Sequence, residues 1–164
     1  MAGQARSTAV EPEIVSRKEF AILGIAVRTS NKAEADPELA KIPGLWRRFF
    51  ENVIPAKLSD KKHAGLIFGV YTNYESDHTG LYDLVACYEA QSLLHVPKDM
   101  VGMTVSAGRY MVFHARGQMP EALIKTWGDV WSYFANNGRY QRAYTTDFEL
   151  YLEEKGADIY IALK

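Results

Sequence analysis

The sequence predicts an α+β fold. One ββαββ unit occurs twice, and the copies build a largely antiparallel sheet of about eight strands with two main helices packed on it. Three observations predict it. Short runs rich in β-branched and aromatic residues alternate with two longer runs that place apolar residues three and four apart, in the same order in each half. The halves also echo in detail: Trp46 and Phe49 recur as Trp131 and Phe134, and Asp83-Leu84-Val85-Ala86 recurs as Asp158-Ile159-Tyr160-Ile161. Finally, 164 residues with 48% hydrophobic and 24% charged content suit one folded domain.

Residues 1–11 are small and polar and read as a flexible leader. Residues 12–164 form one domain, with repeats over about 12–92 and 99–164. Ile14–Lys18 is a short strand and Phe20–Arg28 a longer one, followed by a polar loop from Thr29 to Ala35. Asp36-Pro37 predicts a helix start, since Asp caps free amides and Pro suits the first turn. The helix carries Leu39, Ile42, Leu45, Trp46, Phe49, Phe50 and Val53 as one stripe, broken at Pro43-Gly44 and ended by Pro55. Leu66–Tyr74 and Leu81–Ala90 are strands, joined by a polar link ending in Gly80 that suits a hairpin. In the second half Gly102–Ala107 and Arg109–Ala115 are strands. A helix follows Pro120, with Leu123, Ile124, Trp127, Val130, Trp131 and Phe134 on one face, stopped by Asn136-Asn137-Gly138. Tyr144–Leu152 and Asp158–Leu163 complete the sheet around a Lys155-Gly156 turn. Duplicated halves leave a seam, a favoured place for a pocket.

Composition excludes several functions. The balance of 19 Lys+Arg against 20 Asp+Glu argues against direct nucleic-acid binding, which needs a cationic surplus. One cysteine, Cys87, rules out a disulfide framework or a Cys-rich zinc site; on a strand it reads as a small core residue. No apolar run approaches the roughly 20 residues of a membrane span, and no targeting segment stands out, so a cytoplasmic location is the default. The sequence has no G-x-S-x-G, H-E-x-x-H or Walker-type motif. His63, His78, His95 and His114 are scattered without metal-ligand spacing, so neither metal nor cofactor is expected.

Two features remain. The chain has 10 Tyr, 7 Phe and 3 Trp, either to pack an aromatic core or to hold a ligand against rings. Glu149 stands mid-strand in Asp147-Phe148-Glu149-Leu150-Tyr151, whereas most other glutamates fall near ends or turns. Its carboxylate either points to solvent from an open sheet face or points inward. An inward carboxylate needs a cation or hydrogen-bond donors. In an aromatic-lined cavity the missing cation would be a ligand, attracted by ring faces as well. Trp46, Tyr71, Tyr82, Tyr110, Trp127 and Trp131 are the candidate rings.

The run VYTNYESDHTGLYDLVACYEA (70–90) resembles the first-half signature of GyrI-like, or AraC-type, effector-binding domains. AGRYMVFHARGQMPEALIKTWGDVW (107–131), YTTDFELYLEE (144–154) and DIYIALK (158–164) resemble the second half, and the likeness is greatest to integron-associated effector-binding proteins. The resemblance implies the duplicated ββαββ fold and binding of cationic, amphipathic, drug-like compounds, with Glu149 neutralising the ligand charge. Many relatives join this domain to a DNA-binding unit. The short stretch before the first strand leaves no room for one, so a stand-alone module acting through a homodimer or a separate regulatory partner is expected. Two alternatives follow from the resemblance. One is a hydrolase of electrophilic natural products using Glu149 as general base. The other is a tetrapyrrole binder, for which no histidine is placed by motif to ligate iron.

Overall fold

A computed structural model describes residues 12–54, 66–136, 138–152 and 156–164. The leader, Pro55, His63, Asn137 and Lys155 lie outside the described residues. The eight strands are β1 (Glu13–Arg17), β2 (Phe20–Ser30), β3 (Ile67–Thr72), β4 (Leu81–Ala90), β5 (Val101–Val105), β6 (Gly108–Ala115), β7 (Thr146–Leu152) and β8 (Gly156–Ala162). They form one antiparallel sheet in the order β1-β6-β8-β7-β3-β4-β2-β5. This order reads the same in either direction when each strand is exchanged for its counterpart in the other half. The central pair, β3 with β7, is the seam. Each half also lends its first strand to the other: β1 pairs with β6 and β5 with β2.

The helices are α1 (Asn31–Glu34), α2 (Ile42–Arg48), continued by a π-helical turn at Phe49–Val53, and α3 (Glu121–Asn136). The helix expected from Asp36-Pro37 starts later. Asp36 folds into a turn and accepts the Glu38 amide at 2.9 Å. The start of α2 is capped from a distance: the Glu34 carboxylate accepts the Lys41 and Ile42 amides at 2.9 and 3.2 Å. Pro43 therefore sits in the first turn of α2 rather than breaking a helix. Leu39, expected on the apolar stripe, is exposed.

Side-chain alternation divides the interior into two faces. On one face α2 and the π-helical turn pack through Leu45, Phe49 and Val53 on Tyr82, Leu84 and Ala86, and α3 packs through Val130 on Met111, Phe113, Ile159 and Ile161. On the other face the buried core residues described all come from strands: Ile22, Phe68, Val70, Val85, Val105, Cys87, Tyr110, Phe148 and Ala162, with Phe20 and Tyr160 against them. Cys87 is buried there, its thiol pushed well up by burial, as suits a core residue. His114 contacts Asp158 and Glu13 at 2.8 and 3.1 Å and so ties β1 to β6 and β8.

Candidate functional site

Along β7, Asp147, Glu149 and Tyr151 point to the helical face, while Phe148 enters the opposite core. The two carboxylates on this face are both buried, and they are satisfied in different ways. Asp147 has a cation: the Arg142 guanidinium approaches to 2.8 Å, and both side chains are buried. It also accepts the Tyr74 hydroxyl at 2.6 Å and the Ala162 amide at 2.8 Å.

Glu149, at 1% exposure, is ringed by neutral donors. Tyr151 donates to Oε1 at 2.6 Å; Trp127 Nε1–H and the Tyr71 hydroxyl donate to Oε2 at 2.7 and 2.9 Å. Among the described residues no Lys, Arg or His pairs with it. Burial raises its pKa above the ordinary carboxylate value, and the bonds from Tyr151, Trp127 and Tyr71 oppose that rise. The hydroxyls of Tyr71 and Tyr151 are pushed well up, by burial first and then by Glu149, which keeps them protonated as donors.

A glycine makes room for this carboxylate. Gly69 pairs with Glu149 across the seam, and a Cβ on it would lie 2.7 Å from Oε1 and 3.3 Å from the Trp46 ring. Two clefts open over the seam. The larger, about 960 Å³, has Glu149, Tyr71, Tyr151, Trp46 and Phe50 in its walls, with Leu123 and Ile124 of α3. The smaller, about 410 Å³, is lined by Tyr71, Tyr74, Tyr82, Trp127, Trp131 and Arg142, among others. These volumes fall in the roughly 300–1,000 Å³ range of small-molecule sites.

The structure thus gathers Glu149, Trp46, Tyr71, Tyr82, Trp127 and Trp131 around the seam. Trp46 meets Tyr151 edge-on with ring centroids 5.3 Å apart, and Tyr71 meets Trp127 at 5.1 Å. Trp131 is 43% exposed at the rim. Tyr110 is not brought there. It lies on the opposite face against Phe148, and its hydroxyl donates to the Ser106 carbonyl at 2.7 Å. Phe50, assigned by periodicity to the core, is 53% exposed and borders the larger cleft. Tyr151 was missed, although its spacing of two from Glu149 on one strand was the available signal. Asp147 with Arg142, and the positions of Gly69 and Glu34, carried no local signal. Among the described residues no acidic, His or Cys cluster suits a metal, and no helix is long and apolar enough to cross a membrane.

The family model described as integron-associated effector binding protein matches residues 13–163. A Bacillus subtilis (strain 168) protein named "Putative transcriptional regulator protein YobU" is 31% identical over 156 residues, covering 90% of this chain and 92% of that one. Among solved structures, the integron cassette protein VCH_CASS2, from the mobile metagenome of Vibrio cholerae, is 42% identical with a TM-score of 0.82, covering 93% and 95% of the two chains. SAV2435, solved bound to tetraphenylphosphonium, shares the fold at 22% identity and a TM-score of 0.73, covering 94% of each chain.

Proposed function

We propose, for a chain that belongs to the integron-associated effector binding protein family, that the clefts over the β3–β7 seam take up small amphipathic organic cations. The observation that carries this reading is the contrast on β7. Asp147 is given a guanidinium by its own fold, while Glu149, equally buried two residues on, is given only neutral donors among the described residues. A buried carboxylate without a cation is a standing electrostatic deficit, which a ligand cation removes. The surrounding rings add apolar burial and cation–π attraction of roughly 0.5–2 kcal/mol each. Ligand binding is in line with an effector-binding family, and the tetraphenylphosphonium held by SAV2435 provides a first probe. The name of the Bacillus relative suggests a regulatory output, with occupancy read by a partner protein.

The hydrolase alternative is not retained. The family is one of effector binding, and the Tyr71 and Tyr151 hydroxyls beside Glu149 both donate to it.

The test is a titration of tryptophan fluorescence with tetraphenylphosphonium and with neutral triphenylphosphine oxide, in wild type and Glu149→Gln. Losing one partner of a buried charge pair typically costs about 2–5 kcal/mol, so cation affinity should fall at least about thirtyfold. The neutral analogue should be nearly unaffected. Equal losses for both compounds would remove the charge pair from the account.

A further inference from the structure

The two clefts share Glu34, Ile42, Tyr71 and Ile124, so they are adjoining compartments of one elongated site. Glu34 is the carboxylate common to both. It is half-buried on α1 and held in place by three neutral donors. The Thr29 hydroxyl and the Lys41 amide donate to Oε2 at 2.6 and 2.9 Å, and the Ile42 amide donates to Oε1 at 3.2 Å. A carboxylate offers about four acceptor directions, so Oε1 keeps one unused.

Among the described residues no cationic side chain pairs with Glu34. The Lys41 ammonium turns instead to the Arg28 carbonyl at 2.9 Å. The other titratable groups lining the smaller cleft, besides its tyrosines, are His78 and Arg142, and Arg142 is neutralised by Asp147. Glu34 is therefore a positioned negative charge, separate from Glu149 and reached past Tyr71. The Tyr82 hydroxyl senses both: it is pushed up by burial first, then by Glu34 and by Glu149.

We propose that Glu34 is a second anionic contact, and that the joined clefts prefer ligands carrying two cationic centres on an apolar spacer. One centre would meet Glu149 and the other Glu34, with Ile42, Tyr71 and Ile124 along the spacer. This rests on the cation-binding reading of Glu149. The two contacts differ in kind. Glu149 is dry and discriminates strongly, whereas Glu34 is partly solvated and contributes at the scale of an exposed ion pair.

The experiment is calorimetric titration with decamethonium, which has two quaternary centres, and decyltrimethylammonium, which has one. Wild type is compared with Glu34→Gln, Glu34→Asp and Glu149→Gln. Glu34→Gln should weaken decamethonium about two- to fivefold more than decyltrimethylammonium, whose own change reports any disturbance of the α2 start that Glu34 caps. Glu34→Asp keeps the charge and should keep most of the preference. Glu149→Gln should weaken both ligands. A Glu34→Gln substitution that changes both affinities by the same factor, or changes neither, overturns the inference while the reading of Glu149 stands. A Glu149→Gln protein that binds both as tightly as wild type overturns that reading, and the inference with it. Should Glu34→Gln fail to fold, wild type still decides. Decamethonium affinity must fall more steeply with salt than decyltrimethylammonium affinity, and equal slopes refute the second contact.

Discussion

Replacing Gly69 by alanine tests how the carboxylate is held at the seam. The new Cβ would lie 2.7 Å from Glu149 Oε1, 3.3 Å from the Trp46 ring and 3.6 Å from Leu84 Cδ1. The last contact is ordinary, so the strain falls on Glu149 and Trp46. To regain normal contact the carboxylate must retreat by roughly 0.7 Å. A shift of that size takes bonds of 2.6–2.9 Å to or past the useful limit of about 3.2 Å. Overpacking of this kind costs about 1–3 kcal/mol, offset by roughly 0.5 kcal/mol because alanine orders with less loss of entropy than glycine. A net loss of about 1–2 kcal/mol should lower the urea midpoint by about 0.5–1 M at unchanged slope. Tetraphenylphosphonium affinity should fall with it, since the displaced carboxylate no longer faces the cleft squarely. Gly128→Ala is the control. No atom lies within 4 Å of its Cβ, and in mid-helix alanine should stabilise by about 0.5–1 kcal/mol. A Gly69→Ala protein with wild-type midpoint and wild-type affinity would refute the packing account.

Three further outcomes follow from the same geometry. Burial raises the pKa of Glu149 in the folded state, so the folded protein binds the proton more tightly than the unfolded chain. Stability from this group is full below the unfolded glutamate value of about 4.3 and is lost as pH rises through the folded value; Glu149→Gln should flatten that decline in urea melts across pH. Affinity for a permanently charged cation should rise over the same window, with proton release on binding, and an affinity flat across pH would contradict a buried ionisable partner. Trp127→Phe removes the indole donor at 2.7 Å and should move this binding profile to higher pH, whereas Tyr110→Phe should lower stability by about 1 kcal/mol and leave the profile in place.

Much of the architecture was legible because it depends on local pattern. β4 begins and ends at Leu81 and Ala90 as alternation predicts, and the repeated order of elements reappears as a sheet symmetric about its central pair. The start of α2 was misplaced because its cap is not local: Glu34 reaches forward past a turn to the Lys41 and Ile42 amides. Phe50 was misassigned because it shares an apolar stripe with Phe49 and Val53, yet the helix turns it toward the cleft. Tyr110 could not be sorted from Tyr71 and Tyr82 by spacing, since all three are aromatics on strands.

The sequence by itself determined the order of the strands and of the two main helices, the duplication, and the presence of one glutamate set mid-strand between apolar neighbours. Alternation along β7 also puts Glu149 and Tyr151 on one side, whichever side that proves to be. Only the tertiary structure decided that this side lies under the helices, that Gly69 stands opposite, and that Arg142 serves Asp147 and not Glu149. The physical reason is that a strand specifies its two faces only relative to itself. Which faces coincide between strands tens of residues apart is set by long-range pairing, and a one-residue change of register would send every side chain to the other side.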